Sequence, residues 1–582
     1  MLLKLARCVR ENIWAALLSP LCMIGEVYME VRIPGIIGHL VDHGIEAGNI
    51  EVVWQQGLLL ILTALCSLIF GVGSAVFAAH GATGFARNLR HDMYYRVQRF
   101  DFSNIDKLST SSIITRLTSD VANIQMCFQM MIRMAVRCPM MVVLASINVY
   151  RLSPRLCTVY LIALPLMAVG LFTLTKLVFP IFERGFKTID RLNNVVQENL
   201  HGIRVVKSFV RQEKENEKFS DVSGQIYKDF SLADRILAFN SPLMSTAVYA
   251  CIIAISWLGA NMIVSSGNTT FTTGDLTSMF TYTTQILSGL MMLSMVFVML
   301  TMSRAPMRRC CELLEEEPSL RSPESPVTEV ADGSIDFENV SFRYSEKAGK
   351  NALESVNIHI ASGMTVGILG GTGSSKSTLV QLIPRLYDAN EGVVKVAGVD
   401  VRDYDLKTLR DQVAMVLQKN VLFSGTIRDN LRWGDPNATD EEMEQACRLA
   451  CAHDFITSFP DGYDTHIEQG GKNVSGGQKQ RLCIARALLK KPKILILDDS
   501  TSAVDTHTDT QIRKAFAQEI PGTTKLIIAQ RVASVQDADL ILVMDGGTVV
   551  AQGTHAELLQ TSQIYREVYE SQVKGGEESC PL

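Results

Sequence analysis

The sequence predicts an α-helical membrane domain of six spans with long cytoplasmic helical extensions, followed by an α/β domain. Long uncharged stretches, confined to the first half of the chain, predict the spans. From Ile335 onward, short apolar strands alternate with helical stretches, which is typical of an α/β domain. The composition agrees, because 47% of the 582 residues are hydrophobic and only 20% are charged, below the ~25% usual for soluble domains.

The balance of charge excludes one class of partner. The chain has 55 basic and 60 acidic residues, a net charge of −5, and no long run of one sign. We therefore expect no nucleic-acid partner. Its 13 cysteines are scattered without CxxC spacing, which argues against a zinc site or a disulfide framework.

Four spans are predicted from uncharged stretches of 20 to 28 residues: Gly57–Ala79, Leu156–Thr175, Ser241–Gly267 and Leu276–Ser303. Two weaker spans, about Ile13–Pro34 and Cys127–Tyr150, are apolar but carry charged pairs four residues apart, so that each pair shares a helical face. These pairs are Glu26 with Glu30 and Arg133 with Arg137. They either line an interior cavity or lie at the lipid headgroups, and carboxylates in a cavity would favour cationic amphiphiles.

Span six is rich in methionine, whose flexible thioether suits either an adaptable substrate surface or ordinary packing. The methionines are Met279, Met291, Met292, Met295, Met299 and Met302.

The distribution of basic residues predicts that both termini are cytoplasmic. Lys4, Arg7 and Arg10 precede the first span without a cleavage site, and the loop over residues 35–51 has no Lys or Arg. The long segments Arg87–Arg116 and Arg184–Arg235 are rich in both, and we predict that they extend the spans as cytoplasmic helices. Arg151 and Arg155, in a short external loop, are exceptions.

Changes in composition predict the domain boundaries. Residues 1–303 form the membrane domain, and 304–334, with a basic patch, an acidic run and then Pro318, Pro323 and Pro326, form a linker. Residues 335–570 form the α/β domain, and 571–582 form a flexible tail.

A glycine-rich loop between a strand and a helix predicts a polyphosphate site in the α/β domain. Its residues are Gly370, Gly371, Thr372, Gly373, Ser374, Ser375, Lys376, Ser377 and Thr378. Backbone N–H groups of such a loop wrap phosphates, while Lys376 reaches the β/γ-phosphates and the Ser377 hydroxyl binds Mg²⁺. Position 375 is Ser where the pattern has Gly. A chance turn at a strand–helix junction is the alternative for the loop taken alone.

Two later motifs carry a family resemblance. Asp498 ends the apolar strand Ile494–Leu497, which would place a carboxylate beside Mg²⁺. Between the phosphate loop and this strand lies the motif Val474-Ser475-Gly476-Gly477-Gln478, which resembles the signature motif of ATP-binding-cassette (ABC) proteins. The order of motifs along the chain resembles an ABC exporter half-transporter, with a six-span membrane domain fused to one P-loop ABC ATPase domain.

The resemblance implies roles for individual residues. Tyr344 would stack on the adenine of ATP, and Ser377, Gln418 and Asp498 would hold Mg²⁺. In the family, two ATPase domains meet head to tail, so Ser475, Gly476, Gly477 and Gln478 would complete the ATP site of a partner subunit. Ser112–Asp120 and Glu198–Arg204 resemble the two coupling helices, with solvated helix hairpins as the alternative.

Two positions depart from the family pattern at the catalytic centre. The expected glutamate base is Asp499, and the expected switch histidine is Gln530. The carboxylate of Asp499 is one methylene shorter, and Gln530 carries no charge. The sequence therefore resembles the degenerate-site subunit of heterodimeric bacterial multidrug exporters, with neutral drift in an active homodimer as the alternative.

The function expected from this resemblance is ATP-driven export, with ATP and Mg²⁺ as cofactors and a second ABC half-transporter as partner. The substrate would be a hydrophobic or amphipathic small molecule taken from the cytoplasm or the inner leaflet of membrane lipid in the bacterial cell membrane. There are two alternatives: a homodimeric lipid or peptide exporter, and an ATP-gated channel or sensor.

Overall fold

The computed structural model describes residues 2–345, 349–499 and 504–577. They form two compact units, each described separately below. The membrane unit is made from Met1–Gln98 and Ser109–Glu316. The α/β unit is made from Arg99–Leu108 and Glu317–Leu582, so it includes a short segment that lies in the first half of the sequence.

The membrane unit is entirely helical. Its helices are α1 (Leu2–Ala6), α2 (Ile13–Leu40), α3 (Ile50–Val97), α5 (Thr110–Thr115), α6 (Val121–Leu152), α7 (Pro154–His201), α8 (Ile203–Ser208), α9 (Gln212–Ala238), α10 (Asn240–Ser266), α11 (Thr273–Met302) and α12 (Arg304–Glu315). Irregular helical turns at Arg7–Asn12, Val41–Glu46 and Arg116–Asp120 join some of these.

Within the described residues, six helical stretches are long and apolar enough to cross a bilayer, which confirms the predicted number of spans. They are Lys4–Glu46, Ile50–Val97, Thr110–Leu152, Pro154–His201, Gln212–Ser266 and Thr273–Glu315. At 43 to 55 residues each, they exceed the ~20 residues that a bilayer requires. The excess accounts for the helical extensions expected beyond the membrane.

Local sequence explains where several of these helices begin and end. The Asn49 side chain accepts a hydrogen bond from the Glu51 amide (3.1 Å) and caps α3. Thr272 and Asp275 form a reciprocal capping box at the start of α11. Gly267 ends α10 with a φ of +61°, a conformation in which glycine avoids the strain of a side chain.

The segment after α11 continues as helix α12 within the membrane unit, although it falls in the predicted linker. Arg309 on α12 forms a two-bonded ion pair with the buried Asp120 (2.6 and 2.7 Å). Arg116 donates to the Arg309 carbonyl (2.7 Å). These contacts fix Ser112–Asp120, one of the two segments resembling coupling helices, against α12.

Three of the four paired charged residues of the two weaker spans meet in one junction. Arg137 on α6 donates from Nη2 to Glu30 Oε2 (2.7 Å) and from Nη1 to Glu26 Oε1, both on α2. Glu26 also lies against Gly71 on α3, where an added Cβ would be 3.2 Å from the Glu26 Cδ. The side-chain amide of Gln285 on α11 donates to the Glu30 carbonyl (3.4 Å). One guanidinium therefore serves two carboxylates where four helices converge.

The α/β unit contains three sheets. Six strands lie in the order β12-β11-β3-β10-β9-β6, parallel except for the edge strand β12. Four antiparallel strands lie in the order β2-β1-β4-β5, and β7 pairs with β8. The strands are β1 (Ile335–Phe342), β2 (Leu353–Ile360), β3 (Thr365–Gly370), β4 (Glu391–Val396), β5 (Val399–Asp400), β6 (Val413–Val416), β7 (Gly425–Thr426), β8 (His466–Ile467), β9 (Ile494–Asp498), β10 (Thr524–Ile528), β11 (Leu540–Asp545) and β12 (Thr548–Gly553).

The helices of the α/β unit are α4 (Phe102–Leu108), α13 (Lys376–Gln381), α14 (Leu406–Gln412), α15 (Ile427–Leu431), α16 (Asp440–Leu449), α17 (His453–Thr457), α18 (Gly476–Leu489), α19 (Thr506–Glu519), α20 (His555–Thr561) and α21 (Gln563–Glu577). Apolar clusters cover both faces of the six-stranded sheet, with Leu526 and Ile528 in one and Ile527 and Ala529 in the other. Burial on both faces explains why the parallel strands read as continuous apolar runs.

Helix α4 belongs to the α/β unit although it lies between α3 and α5 in the chain. The Asp101 carboxylate, just before α4, accepts hydrogen bonds from the Ser319 amide (2.6 Å) and hydroxyl (2.7 Å) and from the Leu320 amide (3.2 Å). Burial acts to raise the pKa of Asp101, but hydrogen bonds from the Ser103 and Ser319 hydroxyls and from the Asn104 and Ser319 amides hold this pKa below its usual value. Asn104 Nδ2 donates to the Glu317 carbonyl (3.2 Å). A single carboxylate thus ties this segment to the chain that enters the α/β unit.

Replacing Arg137 with Met should destabilise the membrane unit, because it leaves two carboxylates among four helices with no cation. We expect the free energy of unfolding to fall by on the order of 3 kcal/mol, measured by thermal unfolding of the purified full-length protein. Replacing Glu26 and Glu30 with Gln as well should recover most of the loss. Arg155→Met, at an exposed site, is the control, and equal stability of the two arginine variants would contradict the assigned role.

Candidate functional site

Four neighbouring parallel strands bring their carboxyl ends to one edge of the sheet. The phosphate loop follows β3, Gln530 lies two residues after β10, Asp498 ends β9, and Gln418 lies two residues after β6. Residues from four separate parts of the sequence therefore surround one point. In open parallel sheets, ligands bind at this edge.

Two residues of the phosphate loop, Gly373 and Ser375, have a backbone conformation that favours glycine. Gly373 has a φ of +83°, and a Cβ added there would meet no atom within 4 Å. Ser375 has a φ of +69° and a ψ of 23°, the left-handed region, which costs a residue with a side chain roughly 1–2 kcal/mol. This conformation explains why the sequence pattern has glycine at position 375.

Lys376 lies inside the loop. Its Nζ donates to the carbonyl oxygens of Gly370 (2.8 Å) and Gly371 (2.7 Å), and contacts Ser374 Oγ at 3.2 Å. Burial lowers the pKa of Lys376, while the nearby Asp499 and Asp498 carboxylates oppose that shift. The loop thus holds an ammonium group where phosphate charge would lie.

Ser377 and Asp498 supply adjacent oxygen ligands. The Ser377 hydroxyl donates to Asp498 Oδ1 (2.9 Å), and Asp498 is only 4% exposed. Burial, helped by the neighbouring Asp499 charge, raises the pKa of Asp498, which the Ser377 hydrogen bond partly offsets. A hydroxyl beside a carboxylate is a donor set of the kind that Mg²⁺ prefers, so these residues fit that ion.

Two amide side chains engage Asp499. Gln530 Nε2 donates to Asp499 Oδ2 (2.9 Å), and Gln418 also hydrogen bonds to this carboxylate. Burial raises the pKa of Asp499, with the hydrogen bonds from Gln418 and Gln530 opposing it. Asp499 has a φ of +48°, a region in which Asp is more tolerated than most residues.

Tyr344 forms the outer wall of the site together with an aromatic residue that the sequence analysis did not identify. Tyr344 is 52% exposed, and its hydroxyl lies 2.9 Å from Thr378 Oγ1 on α13. Its ring meets those of Phe342 and Tyr387 edge to face, at centroid distances of 4.9 and 5.2 Å. Phe342 and Tyr387 therefore pack against the Tyr344 ring, which keeps about half of its surface exposed.

Tyr387 connects this aromatic group to α4. The Tyr387 hydroxyl donates to Asp106 Oδ2 (2.8 Å), and its ring lies 6.0 Å from that of Phe102. No local pattern marks Tyr387, because it lies in an irregular stretch between α13 and β4. Its contact with Asp106 joins positions 281 residues apart, which only the tertiary structure shows.

The signature motif lies elsewhere on the α/β unit. Ser475 and Gln478 form a reciprocal capping box: the Gln478 amide donates to Ser475 Oγ (3.2 Å), and the Ser475 amide donates to Gln478 Oε1 (2.9 Å). Gly476 and Gly477 are in the first turn of α18, where backbone N–H groups lack partners within the helix. Helix α18 packs on α15, α16 and the edge strand β6, whereas the phosphate loop follows the central strand β3.

Comparisons with known proteins agree with this architecture. Residues 17–291 match the family described as ABC transporter transmembrane region, and residues 353–502 match the family described as ABC transporter. The solved structure of a bacterial Atm1-family ABC exporter with ATP bound shares the fold, with a TM-score of 0.82 at 24% identity. The match covers 97% of this chain and 98% of that one.

Two relatives match this chain over almost its whole length. YfiB of Bacillus subtilis, an uncharacterized ABC transporter ATP-binding protein, is 36% identical over 559 residues, covering 96% of each chain. A Mycobacterium tuberculosis protein of the same description is 32% identical over 545 residues, covering 93% of each chain. The chain, with one six-span membrane region and one ATPase domain, therefore belongs to the ABC transporter family as an exporter-type half-transporter.

Proposed function

We propose that the protein is the degenerate-site subunit of a heterodimeric ABC exporter. The observation that carries this proposal is the pairing of Asp499 with Gln530 at the position of a catalytic base. The subunit would work with a second ABC half-transporter, move hydrophobic or amphipathic compounds out of the cytoplasm or inner leaflet, and bind ATP with Mg²⁺.

The geometry supports binding of ATP more strongly than its hydrolysis. Lys376 and the backbone amides of the loop hold phosphate oxygens, and Tyr344 offers a half-exposed ring for adenine. Ser377, Gln418 and Asp498 hold Mg²⁺, which when bound offsets phosphate charge. Binding of phosphate, adenine and Mg²⁺ requires suitable charge and shape in the site, and the site retains both.

Hydrolysis requires a carboxylate that reaches and orients a water molecule. Asp499 is one methylene shorter than glutamate, and both Gln418 and Gln530 already donate hydrogen bonds to it. A misplacement of about 1 Å costs on the order of a hundredfold in rate. Since Gln530 is neutral, it also adds no positive charge next to a transferring phosphoryl group. Slow turnover at this site follows.

The signature motif retains what a partner's site needs. Ser475 and the Gly476 and Gly477 amides form an ordered helix start, which favours negative charge. In the proposed heterodimer they complete the competent ATP site, whose phosphate loop and glutamate belong to the partner subunit. Asp499 and Gln530 thus weaken the ATP site on this chain's own phosphate loop, whereas the intact signature motif contributes to the ATP site of the partner subunit.

The membrane unit supports the proposed location and substrate class. The abundance of basic residues in the extensions favours a cytoplasmic location for both termini and the ATPase domain, in a protein of the cell membrane. On α11, Met291, Met292 and Met295 are exposed on this chain. Flexible thioethers would form an adaptable apolar surface for varied hydrophobic compounds.

The purified chain alone should hydrolyse ATP at least tenfold more slowly than the complex with a half-transporter encoded beside it. A complex whose partner lacks its catalytic glutamate should be as slow as the chain alone, because only the partner's site turns over rapidly. Steady-state ATPase assays in detergent or vesicles measure this. Full activity of the isolated chain would instead favour a homodimeric lipid or peptide exporter.

Restoring the family residues should activate the weak site. We expect Asp499→Glu combined with Gln530→His to raise ATP turnover at least tenfold, tested in a complex whose partner has lost its glutamate. Adding Asp498→Asn, which removes a proposed Mg²⁺ ligand, should abolish the gain. An unchanged rate in the double variant would show that Asp499 and Gln530 are not what limits hydrolysis.

Replacing Ser375 with Gly should raise the free energy of unfolding by roughly 0.5–1 kcal/mol, because glycine adopts the left-handed conformation without side-chain strain. Thermal unfolding of the nucleotide-free protein measures the change. Gly373→Ala is the matched variant and should lower the free energy of unfolding. Position 373 also has a positive φ, and open space around it excludes a steric clash of the added Cβ. If both variants changed the free energy of unfolding in the same direction, the assignment of backbone strain at Ser375 would be contradicted.

A further inference from the structure

A second cavity of the ATPase domain lies away from the nucleotide site. Its volume is about 410 Å³, within the range of small-molecule sites. Helix α19 and the segment after β10 form its walls, and Thr365 and Lys525, at the amino ends of β3 and β10, also line it. The phosphate loop and Gln530 follow the opposite ends of these two strands, so the cavity is separate from the ATP site.

Lys525 is an unusual residue for a central strand. It is only 3% exposed, and it lines the cavity together with Ile527, on the same face of β10. Within the part of the chain that the structure describes, no acceptor or carboxylate bonds to its ammonium group. Asp539, the carboxylate whose charge acts on Lys525, already accepts the Thr365 amide (2.8 Å).

Other partly buried lysines of this domain direct their ammonium groups to backbone carbonyls. Lys376 contacts Gly370 and Gly371, Lys490 contacts Arg410 and Val413, and Lys493 contacts Val330 and Ala331. Such contacts compensate for the loss of hydration. Lys525 has no equivalent contact, and burial lowers its pKa. Among the described residues its ammonium group therefore has no hydrogen-bond partner, and the charge of Asp539 acts on it without a direct ion pair.

Two other charged residues of the cavity wall, Arg513 and Asp537, are paired with each other. Arg513 pairs with Asp537 (3.1 Å) and Asp509 (3.3 Å), and the Ser534 hydroxyl donates to Asp509 (3.2 Å). Lys514, on the exposed side of α19, adds a second cation to the lining. Lys525 is thus the deep cation that is available to a ligand.

We infer that this cavity binds a small organic carboxylate whose charged group pairs with Lys525. The apolar side chains of Phe516, Ile527 and Ala538 line the same cavity and suit a short hydrocarbon body. A single deep cation matches one negative charge, and the nearby Asp537 carboxylate disfavours a dianion. The cavity would therefore select a monocarboxylate over inorganic phosphate.

The position of the cavity would connect its ligand to the nucleotide site. Helix α19 forms one wall, and Ser534, four residues after Gln530, forms part of another. A ligand between them would restrain the segment that carries Gln530. Binding of the carboxylate should consequently change the affinity for ATP without occupying the ATP site.

Thermal unfolding of the full-length protein with sodium hexanoate tests the site directly. Hexanoate at millimolar concentration should raise the unfolding temperature, whereas hexanamide, of the same shape but uncharged, and inorganic phosphate should not. Lys525→Met keeps an unbranched side chain, one atom shorter and without the ammonium group, and should remove the hexanoate effect. Lys472→Met, at an exposed position, should retain it.

Chemical labelling gives a second readout that needs no variant. Acylation of Lys525 by an amine-reactive acetyl ester, followed by peptide mass spectrometry, should fall at least fivefold in hexanoate, with Lys472 unaffected. The proposal would be overturned if hexanoate stabilised Lys525→Met as much as the unmodified protein, or if hexanamide stabilised the protein as much as hexanoate. It would also be overturned if hexanoate did not reduce the acylation of Lys525. Because neither readout uses ATP, the result is independent of the proposed export function.

Discussion

The parallel pairing of β6, β9, β10 and β3 is the constraint on which the ATPase domain depends. Each strand is too short to form a site alone, and the register places Ile528 beside both Asp498 and Ile368. This alignment brings Gln418, Asp498, Gln530 and the phosphate loop to one edge. The apolar clusters on both faces hold that register, because a slip by one residue would exchange the two faces of every strand.

Backbone strain and departures from the family pattern occur together at this edge. Ser375 and Asp499 both have positive φ values, and both differ from the residue that the family pattern has there. Strained residues persist only where the surrounding structure holds them. In the proposed weak site, the sheet would maintain the binding geometry while Asp499 and Gln530 slow the turnover of ATP. Binding and turnover would then be separable properties of one scaffold.

The sequence predicted the features that depend on local pattern. Uncharged stretches such as Ser241–Gly267 marked spans, and the strand–loop–helix order marked the phosphate loop, because hydropathy and glycine content act over a few residues. The charged pairs of the weak spans were visible, but their convergence on Arg137 was not, since it joins α2 to α6. The place of α4 in the ATPase unit and the partnership of Tyr387 with Asp106 likewise depend on contacts between distant segments.

The hydrogen bonds of Asp101 have a consequence for how such proteins diversify. Because Arg99–Leu108 is part of the ATPase unit, no single cut in the polypeptide separates the two units. A recombination event that joined the membrane region of one transporter to the ATPase region of another would carry Arg99–Leu108 of the first transporter into the ATPase unit of the second. The residues around Asp101, Asp106 and Tyr387 must then be inherited as a set, so compatibility at this small junction limits which chimeric transporters can arise.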